Sequence, residues 1–556
     1  MSGIQSNWDK LKKEQKEIIE ECLTKNGGGI SLMMGGGKTL IGITLALKLH
    51  VNTSCASIIV VSKSLIGTWE NEIKKFYKGI NYIVFHTEYI KNIDKYEMKE
   101  NIQIVIITPE MISKYYKKHN MEYVFVNRRM VNQGLFNQHI RKEYNEIKGI
   151  MLKSKGDNTL QSKLFRQEWA SIIIDEGHNH TEIESTKCKA ICVLYSKNKW
   201  LMSGTLFNEP KVSRLLGYHI MINDKTFPRN LGDAEKHVKS SQFKGINKTL
   251  VTREIQQVKN VNGETIKINK KIIKDALTKE EEIIYSSLKK ILVIIKTHME
   301  RYKNQKDTEN MRKYAAYLLA IVAYLRQVVV CPMLVFANSA LDASNYKNKS
   351  DLSTMIFNGI ENLGIKNYME NEESVESTRI KSVIREIKKI KERIVVFTSF
   401  RTSVDILKHY IGKERDVYSI DADMSIKKRG KVIEEFKSGN GVLIMTYNIG
   451  CEGLNLQESN TAMLVDLDWN DGKTKQAIAR VLRSGQHSDE VNVYIFTSNT
   501  GIEKAIYEKH EMKLNILEEI KEGPMKHKVT SMKTKEILKI LCIEECSQKL
   551  KELGSR

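Results

Sequence analysis

Continuous runs of β-branched residues alternate with helix-patterned segments through the first two hundred residues. The runs lie at Ile58–Val61, Ile104–Ile107 and Ile172–Ile174. An uninterrupted apolar run of this length fits a strand that is buried on both faces of a parallel sheet. The helical patterns between the runs therefore predict βαβ units and an α/β fold.

The pattern changes in the middle of the chain, from about residue 211 to 376. A long helix is predicted to begin after Thr278, because Thr278 and Glu281 have the spacing of a capping box. A second helix is predicted over Tyr314–Leu325. Polar, charged stretches before residue 377 predict exposed loops or a linker.

Strand and helix patterns resume near residue 378. One helical face carries apolar residues from Ile380 to Ile390, and the runs Ile394–Phe397, Val442–Met445 and Met463–Val465 are candidate buried strands. The predicted organisation is a first lobe over 1–210 with a basic insertion at about 117–168, a helical segment and linker over 211–376, a second lobe over 377–520, and a basic tail over 521–556 with one amphipathic helix. The insertion is longer than a connection inside a compact domain requires.

Composition and charge narrow the class of protein. The chain has 556 residues, enough for two or three domains, and a net charge of +22. Such a charge favours a polyanionic partner. A coding bias would also explain it, because Lys, Ile and Asn are abundant and there are only 5 Pro. Charge alone therefore leaves both explanations open. A polar N-terminus and the absence of long apolar runs predict neither secretion nor a membrane span. The eight cysteines are interpreted as reduced thiols.

A glycine-rich segment between an apolar strand and a helix is a candidate phosphate loop. Its residues are Leu32, Met33, Met34, Gly35, Gly36, Gly37, Lys38 and Thr39. Backbone N–H groups of such a loop cradle phosphate oxygens, the lysine reaches the β and γ phosphates, and the threonine hydroxyl holds Mg²⁺. Leu32 stands where the general phosphate-loop pattern has glycine.

Two carboxylates, Asp175 and Glu176, end a predicted buried strand. Ligands bind at the carboxyl ends of strands in open α/β sheets. Asp175 is predicted to bind Mg²⁺ through water, and Glu176 to orient and deprotonate the attacking water.

Lys38-Thr39 and Asp175-Glu176-Gly177-His178 together resemble motifs I and II of the superfamily 2 helicases. Further segments resemble the Swi/Snf-type ATPases within that superfamily, and together they cover about residues 10 to 515. These segments are Leu11–Gln15 (Q motif), Ile58–Phe76 with Trp69 (motif Ia), Leu201–Thr205 (motif III), Leu325–Gln327 with Pro332, Val395–Phe400 (motif IV), Gly450–Leu456 (motif V), Asp468–Asn470, Gln476–Gln486 (motif VI) and Thr500–Glu503. Three positions depart from the family pattern: Leu32 stands in place of the first glycine of motif I, Glu14 replaces the usual Tyr and Asp471 the usual Pro.

The resemblance implies two RecA-like lobes with a helical insertion between them and ATP bound in the cleft between the lobes. It assigns adenine recognition to Gln15 and γ-phosphate contacts to Arg480 and Arg483, whose spacing predicts one shared helical face. Coupling between nucleotide and motor is assigned to His178, Ser203, Thr205, Gly453 and Gln476. Trp69 is interpreted as a packing anchor.

The predicted function is an ATP- and Mg²⁺-dependent nucleic-acid motor, favouring a translocase on duplex DNA that remodels protein–DNA or transcription complexes. Two alternatives stay open: a helicase that separates RNA or DNA strands, and a nucleic-acid-binding factor that does not hydrolyse ATP. Transcription or chromatin proteins are the expected partners. The expected location is intracellular, in the nucleus or, for a viral protein, in the viral factory or virion.

Overall fold

The computed structural model divides the chain into two compact units. The first comprises residues 1–256 and 513–531, and the second 257–512 and 532–556. The structure describes residues 8–32, 36–118, 159–204, 207, 211–252, 260–262, 264–335, 377–450, 454–483 and 485–525. The predicted C-terminal amphipathic helix and most of the basic insertion lie outside these residues.

The first unit is built on a parallel sheet. Within the described residues its seven strands have the order β3-β4-β2-β5-β6-β1-β7. The strands are β1 (Gly27–Ser31), β2 (Ser57–Val60), β3 (Tyr82–Phe85), β4 (Ile104–Ile107), β5 (Ile172–Asp175), β6 (Lys199–Ser203) and β7 (Leu250–Thr252). Because β2, β4 and β5 are buried along their whole length, the continuous apolar runs did predict central strands.

Helices cover both faces of this sheet, and each face has its own hydrophobic core. The helices are α1 (Lys13–Thr24), α2 (Lys38–Thr53), α3 (Ile66–Phe76), α4 (Pro109–Lys118), α5 (Leu160–Lys163), α6 (Thr186–Val193), α7 (Val212–Met221) and α8 (Leu231–His237). Trp69 and Trp200 are fully buried in the core that contains α2. The other core contains α4, α6 and α7.

The second unit has its own parallel sheet. Its strand order is β10-β11-β9-β12-β13-β8 among the described residues. The strands are β8 (Lys267–Asp275), β9 (Ile394–Thr398), β10 (Val417–Ile420), β11 (Val442–Thr446), β12 (Thr461–Leu464) and β13 (Glu490–Ser498). The helices are α9 (Lys279–Asn304), α10 (Thr308–Val330), α11 (Thr378–Lys388), α12 (Arg401–Ile411), α13 (Ile426–Ser438), α14 (Tyr447–Gly450), α15 (Asp471–Val481) and α16 (Gly501–Glu522), whose last turns belong to the first unit.

Helices α9 and α10 form the predicted helical insertion as an antiparallel hairpin. The predicted capping box at the start of α9 is confirmed, with Thr278 and Glu281 each bonding the other's backbone N–H. Arg326 of α10 attaches the hairpin to the second sheet by donating to the Leu467 carbonyl at 2.7 Å and to Ser399 Oγ at 2.8 Å. Among the described residues α10 alone is long and apolar enough to span a membrane; 56% of its most apolar window is buried, and a core helix passes the same test.

The first predicted domain boundary, at residue 210, lies inside the first unit. Helices α7 and α8 and strand β7 complete that unit after this position. Strand β8, which also lies in the segment expected to be helical, pairs with β13 over nine residues. Its sequence looks polar because it is an exposed edge strand, with only Ile273 and Asp275 buried.

Candidate nucleotide site

The residues of motifs I, II and III meet at the carboxyl ends of three adjacent strands of the first sheet. Strands β5, β6 and β1 are adjacent and parallel, so their carboxyl ends lie together. Lys38 begins the helix that follows β1, Asp175 ends β5, and Ser203 ends β6. The structure therefore places these three motifs where the sequence predicted a ligand site.

The phosphate loop enters α2 through a left-handed glycine. Gly37 has φ +77° and caps the N-terminus of the helix. This left-handed conformation favours glycine, and a Cβ atom there would also lie 2.2 Å from Nε2 of Gln15. Lys38 Nζ donates to the Leu32 carbonyl at 3.3 Å, while the Leu32 side chain is buried in the core. Leu32 therefore contributes its backbone at this site.

Gln15 packs against this loop from α1. Its Oε1 accepts the Lys12 backbone N–H at 3.0 Å, and the side chain is buried. Its other terminal atom, Nε2, faces Gly37. The structure thus brings Gln15 to the phosphate loop, and its role in adenine recognition stays a prediction.

Both oxygens of the Asp175 carboxylate accept hydrogen bonds. Oδ1 accepts the backbone N–H of Glu176 at 3.0 Å, and Oδ2 accepts Nε1–H of Trp69 at 2.9 Å. The Trp69 side chain is fully buried. The sequence favours a packing anchor at Trp69, and the structure adds a direct contact with the predicted metal ligand.

Glu176 is fixed by a relay of side chains. Ser203 Oγ donates to Glu176 Oε2 at 2.9 Å, and His178 Nδ1 lies 2.6 Å from Ser203 Oγ and 3.2 Å from the same glutamate oxygen. Since one hydroxyl proton serves Glu176, the arrangement fits a His178 Nδ1–H that is shared between Ser203 Oγ and Glu176 Oε2. Glu176 itself has a left-handed backbone, φ +47°, which is uncommon for a residue other than glycine.

The two adjacent carboxylates have opposite pKa shifts. Burial, and then the charge of Glu176, raise the pKa of Asp175 to about 6. Burial opposes ionisation of Glu176 as well, but the hydrogen bond with His178, the charge of Lys38 and the hydrogen bond from Ser203 lower its pKa to about 2. Glu176 is therefore held as a carboxylate, which accepts a hydrogen bond from an attacking water.

The motif VI arginines lie in the second unit and do not share a helical face. Helix α15 ends at Val481, so Arg480 is in the helix and Arg483 follows it. Arg480 is buried and its Nε donates to the Gly450 carbonyl of motif V at 2.8 Å. Arg483 is half-buried, as is Gln476. The prediction of one shared face is wrong, because the chain leaves the helix between the two residues.

Five predicted site residues lie outside the described residues. They are Met33, Met34, Gly35, Thr205 and Gly453. Their assigned roles stay predictions.

The donors at these strand ends suit a hard cation. Thr39 supplies a hydroxyl and Asp175 a carboxylate, and Mg²⁺ prefers oxygen ligands while keeping several waters. No group of three or more His, Cys, Asp or Glu side chains able to hold a metal occurs among the described residues.

Models of two protein families match this chain and show which family it belongs to. The model described as "SNF2-related domain" matches residues 18–334, and the "Helicase conserved C-terminal domain" model matches residues 378–485. The chain belongs to the SNF2-related family. As a member of this family it is an ATP-hydrolysing, helicase-like enzyme and an ATP-dependent motor, which removes the alternative of a non-hydrolysing factor.

Individual relatives are distant. Protein 172L of Invertebrate iridescent virus 6, which carries a helicase name, is 25% identical over 553 residues, covering 90% of this chain and 85% of the relative. The ISWI chromatin-remodeling complex ATPase ISW2 of Saccharomyces cerevisiae is 23% identical over 88% of this chain, which spans only 39% of that protein. The solved helicase domain of Hef from Pyrococcus furiosus aligns with 90% of this chain and with 98% of its own chain. At 14% identity and a TM-score of 0.51, it shares the fold.

Sequence patterns missed the contacts that hold the motif residues of this SNF2-related enzyme in place. The hydrogen bond between Trp69 and Asp175 joins residues 106 positions apart. The one signal for this contact in the sequence is Trp69 itself, because the indole N–H of a buried tryptophan usually donates a hydrogen bond.

Proposed function

We propose that this SNF2-related ATPase is a translocase on duplex DNA that uses MgATP and remodels protein–DNA or transcription complexes. The observation that carries the ATPase part is the relay of His178, Ser203 and Glu176 beside Asp175 and Lys38 at the carboxyl ends of adjacent strands. Lys38 would bind the phosphates, Thr39 and Asp175 would hold Mg²⁺, and Glu176 would orient water. Mg²⁺ would supply charge neutralisation on the phosphate oxygens.

The choice of duplex DNA rests on charge and family. A net charge of +22 provides the sequence-independent attraction to phosphate that a tracking motor needs. The relative ISW2 is named as an ATPase of a chromatin-remodeling complex, and chromatin contains duplex DNA. Both observations support a motor that follows the duplex backbone.

A strand-separating helicase is the second candidate. The helicase name of the viral relative, which matches over most of both chains, favours it. The two candidates differ in product, because a translocase leaves the strands paired. A duplex with a single-stranded tail and a triplex with a short third strand distinguish them: the translocase displaces the third strand and leaves the tailed duplex intact.

Glu176→Gln tests the chemistry of the site. It keeps the shape of the side chain and removes the carboxylate, so we expect ATP binding to persist while turnover falls by about 10²-fold or more. Glu182→Gln is the matched control, because it removes the same charge on an ion pair with Arg214. Loss of ATP binding in Glu176→Gln, or equal loss of turnover in both variants, would contradict the assignment.

Lys38→Ala tests the phosphate loop. Since Lys38 is the cation that the motif places at the phosphates, both ATP binding and turnover should be lost while the thermal unfolding midpoint stays near that of the wild type. Lys63→Ala, which removes a half-exposed lysine of the same unit, should retain activity. A Lys38→Ala protein with wild-type turnover would refute the assignment.

Arg483→Ala tests the motif VI assignment. An arginine that stabilises the transferring phosphoryl group contributes about 10³–10⁵-fold to rate in related systems. We therefore expect most of the nucleic-acid-stimulated ATPase rate to be lost, with Arg385→Ala as a control on a half-exposed arginine of the same unit. A wild-type stimulated rate in Arg483→Ala would remove Arg483 from the mechanism.

A further inference from the structure

Trp69 combines complete burial with a hydrogen bond to the carboxylate of Asp175. Its side chain has 0% exposure, and Nε1 lies 2.9 Å from Asp175 Oδ2. Asp175 is itself 8% exposed. A carboxylate in such surroundings has few solvent partners, so each hydrogen bond to it has a large effect on its orientation.

The indole packs closely against α2 and β6. A Cβ atom on Gly42 of α2 would lie 2.8 Å from Trp69 Cη2 and 3.0 Å from Met202 Sδ. Gly42, Trp69 and Met202 therefore pack with no room for one additional methyl group. Because α2 begins at the phosphate loop and Met202 precedes Ser203 of motif III, the ring is fixed against the elements that carry the nucleotide site.

The two hydrogen bonds to Asp175 are accepted by different oxygens of the carboxylate. Oδ1 is bonded to the backbone N–H of Glu176 and Oδ2 to the indole of Trp69. Together they fix the plane of the carboxylate, and each oxygen retains acceptor capacity for a metal-bound water. Loss of the indole N–H would leave Oδ2 without this restraint.

We infer that Trp69 is a positioning residue for Mg²⁺: its indole N–H fixes the Asp175 carboxylate in the orientation that receives the metal-bound water. The inference rests on the proposed role of Asp175 as a Mg²⁺ ligand. In this role Trp69 would contact neither the metal nor the nucleotide. Groups that orient metal-binding carboxylates typically change metal affinity by about 10–100-fold when removed.

A second tryptophan in the same core provides a matched control. Trp200 on β6 is also fully buried, and it belongs to the same hydrophobic cluster as Trp69. Its Nε1 has no hydrogen-bond partner among the described residues. Trp69→Phe and Trp200→Phe therefore remove the same atoms from the same core, but only the first removes a hydrogen bond to Asp175.

The experiment compares these two variants in two measurements. The first is the Mg²⁺ concentration that gives half-maximal ATPase rate at saturating ATP. The second is the affinity for a fluorescent ATP analogue, measured without turnover in EDTA and in Mg²⁺. We expect Trp69→Phe to need about tenfold more Mg²⁺ and to lose most of the gain in nucleotide affinity that Mg²⁺ provides, with unchanged affinity in EDTA. Trp200→Phe should keep wild-type values in both.

Two further variants separate the role of the hydrogen bond from a folding defect and from the role of Asp175. Replacement of Trp69 by benzothienylalanine, in which sulfur replaces the N–H group, preserves ring size and should reproduce the Trp69→Phe defect even if the phenylalanine variant folds poorly. Asp175→Asn should shift Mg²⁺ dependence at least as far as Trp69→Phe does. Unchanged Mg²⁺ dependence in Asp175→Asn would overturn the proposed metal role and the inference with it.

Normal Mg²⁺ dependence in the benzothienylalanine protein, or an equal shift in Trp200→Phe, would overturn the role of Trp69 alone. In the first case the hydrogen bond would have no effect on the metal. In the second the defect would arise from loss of core packing.

Discussion

Lys199 is a buried cation at the start of β6, the strand that leads to Ser203. It is 3% exposed, and its Nζ donates to the Cys192 carbonyl at 3.1 Å. Burial lowers the pKa of Lys199 from 10.5 to about 8, and the positive charge of Arg229 acts in the same direction against the opposing effect of Cys192. The folded protein therefore holds this proton less tightly than the unfolded chain does.

Lys199→Met should stabilise the first unit at neutral pH. Below the folded pKa of about 8 the whole penalty is present, roughly 3 kcal/mol from the size of the shift. Between pH 8 and 10.5 the folded state loses the proton while the unfolded chain keeps it, so the advantage of the methionine variant should shrink. Urea unfolding at pH 7 and pH 10 measures this difference.

Lys197→Met is the matched control, because Lys197 is 73% exposed two residues earlier. It should leave the free energy of unfolding nearly unchanged at both values of pH. A Lys199→Met protein that is less stable than the wild type at pH 7 would show that the charged amine contributes net stability.

At the scale of single residues, sequence patterns located the groups of the candidate site but not their partners. Lys38, Asp175 and Glu176 were predicted because each stands at a fixed place in a local motif. The contact of Gln15 with Gly37 depends on the packing of α1, and that of Trp69 with Asp175 depends on the packing of α3 in the core that contains α2. Such contacts join distant parts of the chain, so spacing along the sequence does not encode them.

At the scale of elements, one carboxylate caps two helices. Glu281 completes the capping box of α9 through the Thr278 N–H at 2.8 Å, and it also accepts the N–H and Oγ–H of Thr378 at 2.9 and 2.7 Å. The side chain is 1% exposed. The start of the helical hairpin and the start of α11 are therefore joined by one residue.

Glu281→Ala should weaken both helix starts at once. Loss of several bonds to a buried carboxylate should cost the second unit roughly 2 kcal/mol or more of unfolding free energy. Hydrogen exchange should become faster at the N-termini of both α9 and α11. Glu280→Ala, an exposed residue in the same first turn, is the control. Faster exchange in α9 alone would contradict the shared cap.

Element prediction succeeded where burial was complete and failed at edges. Strands β2, β4 and β5 were visible as apolar runs because both of their faces are covered. Strand β8 is an edge strand whose side chains are mostly exposed, so its lysines conceal its role. In the structure β8 is joined to the rest of the second unit by a buried ion pair as well as by its pairing with β13. The fully buried Arg379 pairs with Asp275 of β8 at 2.6 Å and with Glu503 of α16 at 3.1 Å.

At the scale of the whole molecule, the chain consists of two parallel-sheet units and carries a large positive charge. The alternation of strand and helix patterns predicted both sheets, whereas the boundary between them depended on β7 and β8, which have no strong apolar pattern. The net charge favours a polyanionic partner, and the identity of that partner requires a direct measurement.

Affinity for duplex DNA should fall steeply with salt if phosphate contacts dominate binding. Each neutralised phosphate adds about 0.9 to the slope of log affinity against log salt concentration, so a motor that contacts several phosphates should give a slope of magnitude about 4 or more. Fluorescence anisotropy with two duplexes of unrelated sequence measures it. A slope near zero, or one that differs strongly between the two sequences, would contradict a sequence-independent grip on the backbone.

The steady-state ATPase rate with duplex DNA, single-stranded DNA and RNA of equal length, measured side by side for the wild type and Glu176→Gln, tests most directly whether this enzyme is a translocase on duplex DNA. We predict that duplex DNA gives the largest stimulation of the wild type and that the rate of Glu176→Gln is lower by about 10²-fold or more with all three. Stimulation by RNA or single strands alone would contradict a duplex translocase, and a stimulated rate in Glu176→Gln close to that of the wild type would contradict the assignment of the nucleotide site.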